Sequence, residues 1–298
     1  MNISHNNNIT FRIIVFLSLI TVFMRNNLDG DLFYYTCYFL ILTFGIIHGA
    51  NDILLLTKGK KANNYIIIKS TLKYLLVVVL ISVIFFNQPA ISMIFFVLFS
   101  AYHFGEQQWT IFENTKLKGL TFFYFSFGAL IFFILFTLNS NEVSKIIFDI
   151  TEYNVDKNFF PITLGFLLLV NTIFISINYR KLEKQILQQT ILFIVMLLVF
   201  SFFDLLPAFA VYFVFFHSIP SIIEQAEYLF EESSVNSFKL FIFRGLAYWV
   251  LAIVFLLVLY LIVKDRIDLS LGIFFSFLAA ITFPHVLVIY KMKENTRK

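Results

Sequence analysis

Apolar runs of membrane-crossing length follow one another along almost the whole sequence, separated by short segments that hold most of the charged residues. A helix needs roughly 20 residues to cross the hydrocarbon core of a bilayer. About ten runs approach this length, with approximate bounds 8–24, 33–56, 65–86, 90–112, 119–138, 160–178, 187–203, 205–225, 240–263 and 269–290. We therefore predict an all-α, polytopic integral membrane helical bundle of about 8–10 transmembrane helices. Residues 1–298 are expected to form a single transmembrane domain.

The composition excludes several other classes of protein. Hydrophobic residues make up 60% of the chain and charged residues 13%, whereas soluble domains have roughly 45–50% and 25%. A soluble enzyme and a disordered chain are both excluded, because so much apolar surface needs a hydrocarbon environment. The net charge of only +4 argues against a nucleic-acid partner. The single cysteine, Cys37, excludes an internal disulfide, a thiolate zinc site and an iron–sulfur cluster.

The distribution of lysine and arginine predicts the orientation, because positive charge in short loops marks the cytoplasmic side. If ten spans alternate, one side of the membrane receives Lys58, Lys60, Lys61, Lys116, Lys118, Arg180, Lys181, Lys184, Lys291, Lys293, Arg297 and Lys298. The opposite loops around Asn87 and Asp204 contain neither residue type, and only segment 226–239, which is acidic on balance, departs from this pattern. We predict a multi-pass protein of the cell inner (plasma) membrane with both termini cytoplasmic.

Four of the five histidines fall inside the apolar runs, where ionisable residues mark functional sites by default. They are His48, His103, His217 and His285, in the second, fourth, eighth and tenth spans. These spans cross in the same direction, and each histidine precedes the next charged segment by about 6–13 residues. We therefore expect the four imidazoles to lie at similar depth in the cytoplasmic half. For any single histidine, a packing role with a hydrogen bond to a neighbouring helix remains open. His5, in an asparagine-rich tail, is expected to be idle.

Small and polar residues accompany these histidines. Carboxylates follow three of them at helical spacing, namely Asp52 after His48, Glu106 after His103 and Glu224 after His217. Asp52, one turn from His48, is expected to accept a hydrogen bond that orients the imidazole. An interfacial position in contact with water is the alternative for all three carboxylates. Gly45 and Gly49 have the spacing that lets another helix approach closely.

A set of imidazoles without a thiolate favours a non-haem metal site, because neutral imidazole suits iron, zinc, copper and nickel. Haem held by two axial histidines remains open. A second class of function is a histidine-lined transporter or channel for protons or metal ions, in which the carboxylates extend the path. Such a path places charges at several depths, so a single layer of histidines favours a fixed site instead.

The histidine segments resemble those of the Brp/Blh family, the bacterial and archaeal membrane β-carotene 15,15′-dioxygenases. The similarity lies in His-Gly-x-x-Asp at 48–52, His-Phe-Gly at 103–105, His-Ser at 217–218 and Pro-His at 284–285. It implies a non-haem Fe(II) enzyme that uses O₂ to split β-carotene, taken from membrane lipid, at its central double bond into two retinal molecules. The metal would carry the chemistry, so no catalytic side chain is expected beyond the metal site.

Two positions depart from the family pattern. Ile47 replaces a proline before the first histidine, and Ser221 replaces a histidine that normally follows four residues after the third. Serine is too short and too weak a ligand to replace an imidazole. Either His285 completes the iron site, or the site has three histidines, or this member has altered or lost carotenoid activity.

Overall fold

The computed structural model describes residues 3–25, 27, 29–59, 64–110, 117–232, 234–263 and 270–296. Secondary structure in these ranges is helical, with no strand among them, which confirms the predicted all-α fold. The helices are α1 (Ile3–Arg25), α2 (Gly30–Thr57), α3 (Asn64–Asn87), α4 (Pro89–Thr110), α5 (Leu120–Leu138), α6 (Ser140–Thr151), α7 (Phe159–Ile177), α8 (Tyr179–Phe202), α9 (Leu205–Phe230), α10 (Val235–Val263) and α11 (Ser270–Thr296).

Within the described residues, 9 helices are long and apolar enough to cross a membrane, namely α1 to α5 and α7 to α10. This number agrees with the prediction of a polytopic membrane bundle. Helix α11 covers most of the predicted tenth span, although residue 269 lies outside the described part. The predicted markers Lys60, Lys61, Lys116, Arg297 and Lys298 and the side chain of His5 also lie outside it.

The predicted start of the seventh span needs a correction. The sequence places Arg180, Lys181 and Lys184 in a loop before residue 187, whereas the structure places all three inside α8, which begins at Tyr179. The reason is that a transmembrane helix can extend beyond its apolar stretch into the interface, here at the N-terminal end of α8. The apolar run therefore locates the buried part of a span, and the charged turns extend the helix.

The helices form two compact units, and the first consists of Met1–Gly45, Ser100–Lys145 and Asn154–Ser221. In this unit α7 packs on α5, α1 packs on α8, and the start of α9 packs on the start of α2. Buried amides connect α4 to α8, because Gln108 Nε2 donates to Gln189 Oε1 over 3.0 Å and Gln189 Nε2 donates to the Gln108 carbonyl over 2.7 Å. Such pairs satisfy polar groups that hydrocarbon cannot.

Helices α4 and α5 touch through glycine at the level of His103. A Cβ atom placed on Gly105 would lie 1.8 Å from the Tyr124 carbonyl oxygen, and one placed on Gly128 would lie 1.7 Å from the Ala101 carbonyl oxygen. No side chain fits at either position unless the helices separate. The sequence reads small-x-x-x-small from Ala101 to Gly105, as in close-packed membrane helices. This contact fixes the part of α4 that contains His103.

The second unit consists of Ile46–Phe99, Ile146–Tyr153 and Ile222–Lys298. Here α11 packs on α3, and the Ile46–Ala50 part of α2 packs on α10. Asn51 interrupts α2, and its Nδ2 donates a 2.8 Å hydrogen bond to the Phe241 carbonyl of α10. Gly245 makes room for this amide, since a Cβ there would lie 2.8 Å from Asn51 Nδ2. The helical break beside His48 is thus anchored to a neighbouring helix.

Candidate metal centre

The four histidines of the predicted spans are all buried. Their exposed fractions are 6% for His48, 1% for His103, 1% for His217 and 4% for His285. They lie in α2, α4, α9 and α11, two in each compact unit. Burying four imidazoles inside helices removes them from the water that normally solvates them, so each needs a specific environment.

In the first unit, His103 and His217 form a pair. Their ring centroids are 4.7 Å apart, with an angle of 78° between the planes, so one ring presents its edge to the other. Phe104 lies with its ring 4.4 Å from that of His217, and Phe213 stacks on His217 at 5.7 Å and 14°. Packing against aromatic rings therefore sets the orientation of the His217 imidazole.

The local backbone around His217 is a π-helix, which covers Tyr212–Ser218. The Ser218 hydroxyl donates a 2.8 Å hydrogen bond to the carbonyl of Phe213, five residues earlier. A second π-helical segment, Ile41–Gly45, packs against it, and Gly45 is needed because a Cβ would lie 2.7 Å from the Phe213 ring. Single π turns inside α-helices occur frequently at functional sites, because they redirect the side chains of one turn.

In the second unit, His48 and His285 form the other pair. Their ring centroids are 4.6 Å apart and their planes are nearly perpendicular, at 87°. Gly49 lies beside the His285 ring, where a Cβ would be 3.5 Å from Nδ1. The small residue next to His48 thus lets the His285 imidazole approach α2, as the sequence predicts for a closely approaching helix.

A buried carboxylate holds this second pair. Asp52 Oδ1 lies 2.9 Å from His285 Nδ1, and the exposed fraction of Asp52 is only 1%. The sequence predicts that Asp52 orients His48, one turn away on the same helix, whereas the hydrogen bond in the structure runs to His285 on α11. Helical spacing could not reveal this partner, which is 233 residues away. The other carboxylate oxygen, Oδ2, accepts a 2.8 Å hydrogen bond from the hydroxyl of Tyr74 on α3.

Tyr74 is absent from the sequence predictions, because a tyrosine in an apolar span gives no signal beyond ordinary packing. Among the predicted neighbours, Glu106 and Ser221 are buried, with exposed fractions of 2% and 1%. The Tyr102 hydroxyl lies 3.3 Å from Glu106 Oε1 on the same helix. Glu224 is partly buried. Asp52 and Glu106 therefore do not lie in interfacial water, the alternative that the sequence left open for them.

The donor set fits a non-haem metal. If His285 donates its Nδ1 proton to Asp52, its Nε2 carries the lone pair that a metal needs, and metal-binding histidines typically have such a carboxylate partner. Each unit contains two buried imidazoles with their rings in contact, and imidazole nitrogen is a good ligand for ferrous iron. The aromatic rings of Phe104 and Phe213 add an apolar surrounding that excludes water from the first pair.

Most of the chain matches a known protein family. The family model described as beta-carotene 15,15'-dioxygenase matches residues 39–293 of this chain. The match includes all four buried histidines, Asp52 and Tyr74. No curated protein and no solved structure matches the chain.

Proposed function

The chain belongs to the β-carotene 15,15′-dioxygenase family, and we propose that it cleaves β-carotene at the central 15,15′ double bond into two retinal molecules. The observation that carries this proposal is the buried histidine–carboxylate pair of His285 and Asp52 inside a family match that spans most of the chain. Burying such a polar pair inside a membrane protein costs free energy, so the pair indicates a functional site, such as one for metal binding or proton transfer.

We propose that His48, His103, His217 and His285 together hold one Fe(II) ion. Support comes from their common burial, from the edge-to-face arrangement within each pair, and from the expectation that their four helices cross in the same direction. Asp52, Glu106, Ser221 and Glu224 are proposed to contact these ligands or the space around them, without binding iron themselves.

Bound Fe(II) would supply the activation of O₂. In the overall reaction the C15=C15′ double bond breaks and two C=O bonds form, so each retinal receives one oxygen atom and O₂ is the only oxidant needed. The protein residues position the polyene, orient the imidazoles and exclude water. β-Carotene dissolves in the hydrocarbon of the bilayer, so we propose that it enters from membrane lipid.

The proposed location is the plasma membrane, with both termini in the cytoplasm. It rests on the apolar helices and on the lysine and arginine residues described above. A cysteine introduced at Asn87 should react with an impermeant thiol reagent added from outside. Reaction only after the membrane is opened would reverse the orientation.

Expression in a β-carotene-producing bacterium tests the reaction. The wild-type chain should reduce β-carotene and yield retinal in a manner that depends on iron and oxygen. A His217→Ala chain, expressed to the same level in the membrane, should yield none, and His5→Ala should behave as wild type. Shorter or longer aldehydes instead of retinal would show that the chain cleaves at a different double bond. Unchanged β-carotene beside an iron-loaded protein would reject the proposed activity.

A further inference from the structure

The carboxylate of Asp52 is held at both oxygens by side chains from two other helices. Oδ1 bonds to Nδ1 of His285 on α11 over 2.9 Å, and Oδ2 accepts the Tyr74 hydroxyl of α3 over 2.8 Å. All three residues belong to the second compact unit. The chain Tyr74–Asp52–His285 therefore runs from a helix without a membrane histidine to one of the proposed iron ligands.

From this geometry we propose that Tyr74 is a positioning residue for the metal site. It fixes the plane of the Asp52 carboxylate, so that Asp52 keeps the His285 proton on Nδ1 and leaves Nε2 as the metal ligand. The inference rests on the proposed function, because it assigns Tyr74 a role toward the iron proposed there.

Two physical arguments support the role of Tyr74. A carboxylate with a single hydrogen bond can rotate about its Cβ–Cγ bond, whereas a second bond at the other oxygen fixes its plane. The second bond also offsets part of the cost of burying a charged group away from water. Without the tyrosine hydroxyl, Asp52 would lose both effects at Oδ2.

Tyr74 packs against α2 and α11, the two helices whose side chains it connects. Its ring packs against a buried cluster of Leu55 from α2 and Val288, Ile289 and Met292 from α11. These are the helices that contain Asp52 and His285. The position of the Tyr74 hydroxyl group therefore depends on the two helices that contain Asp52 and His285.

The chain offers a matched control for removal of this hydroxyl. The Tyr34 hydroxyl donates a 2.7 Å hydrogen bond to Asp204 Oδ2 in the first unit. Tyr34→Phe and Tyr74→Phe thus each delete one tyrosine–aspartate hydrogen bond, the first to the residue that precedes α9 and the second between α3 and α2. Of the two aspartates, only Asp52 contacts a histidine that we assign to the metal. A purely structural contribution would affect stability in both variants and His285 in neither.

The first test uses the metal-free protein. Histidine-selective ¹⁵N labelling in detergent gives signals from only 5 histidines, and a His285→Asn variant assigns that residue. We expect the wild type to have a protonated Nδ1 and an unprotonated Nε2 at His285. Tyr74→Phe should shift these signals toward an average of the two tautomers, and Tyr34→Phe should leave them unchanged. Identical His285 signals in the wild type and Tyr74→Phe would overturn the proposal.

The second test measures Co(II) and Fe(II) affinity of the full chain. Tyr74→Phe should weaken binding by about 10–100-fold, the range seen when a partner of a metal ligand is removed. In an Asp52→Ala background the same substitution should add no further loss, because Tyr74 acts through Asp52. Equal fold losses in both backgrounds would contradict this. A wild type that binds neither metal would reject the proposed function, while the metal-free measurement would still decide the role of Tyr74.

Discussion

The two histidine pairs differ in the contacts that surround them. In the first unit, aromatic rings pack on His217, and glycine-mediated contact fixes the helix of His103. In the second unit, a carboxylate holds His285 through a directional hydrogen bond. Packing fixes where a ring lies but not which nitrogen carries the proton, whereas a hydrogen bond fixes both. Aromatic packing thus shapes the surroundings of the first pair, while in the second pair a carboxylate also selects the ring nitrogen of His285 that carries the proton.

The largest expected effect tests whether both pairs are needed. We predict that His48→Ala, His103→Ala and His217→Ala each abolish iron retention, since each removes an imidazole and no thiolate is available to replace it. Iron content of purified membrane protein is the measurement, with His5→Ala as the control. Full iron in all three variants would end the idea of a shared site.

The next prediction asks how many ligands each unit provides. His285→Ala should lose iron, because we propose His285 as one of the four ligands. Ser221→His, which restores the family histidine one turn after His217, should then leave iron affinity unchanged. Iron titration of both variants separates the alternatives. Retained iron in His285→Ala together with a gain in Ser221→His would show that the first unit lacks a third ligand.

The glycine contact of the first unit should be sensitive to a single added methyl group. Gly105→Ala should destabilise the protein by about 1–3 kcal/mol or more, because its Cβ would overlap the Tyr124 carbonyl. Gly165→Ala is the control, since nothing lies within 4 Å of its Cβ. Thermal unfolding in detergent measures both. Similar unfolding temperatures would mean that α4 and α5 separate at little cost.

The polar anchor of the second unit should be sensitive to charge. Asp52→Asn keeps the shape but weakens the acceptor for His285, so metal affinity should fall by about 10–100-fold. The matched change is Asp204→Asn, which alters the other tyrosine–aspartate bond. Metal titration should separate the two variants. Equal affinities would show that the His285 hydrogen bond has no role in metal binding.

The smallest expected effect lies in the first unit, outside the histidine pair. Burial raises the pKa of Glu142 by more than a hydrogen bond from the Leu205 backbone lowers it, and the negative charge of Asp204 raises it further. A carboxyl with a raised folded-state pKa stabilises the fold below its ordinary pKa and loses this contribution as the pH rises through the raised value. Glu142→Gln should therefore unfold at a slightly higher temperature than wild type at neutral pH, and the difference should vanish in acid. A constant difference across this range would assign the effect to packing.

The helices and the buried histidines could be predicted from the sequence, because apolar length and intramembrane charge are local signals. The partner of Asp52 and the role of Tyr74 could not, since both depend on contacts between helices far apart in the sequence. The sequence predicts a loop at the charged first turns of α8, because the length of an apolar run gives no information on helix outside the hydrocarbon. The π-helical segments at Gly45 and His217 depend on helix packing and have no sequence signature of their own.

Metal analysis of the wild-type protein, purified in mild detergent without added metal, decides whether the four buried histidines hold iron. We predict one iron per chain, lost on removal of a histidine from either pair. Protein without iron that also fails to bind Fe(II) when it is added would rule out the proposed iron site.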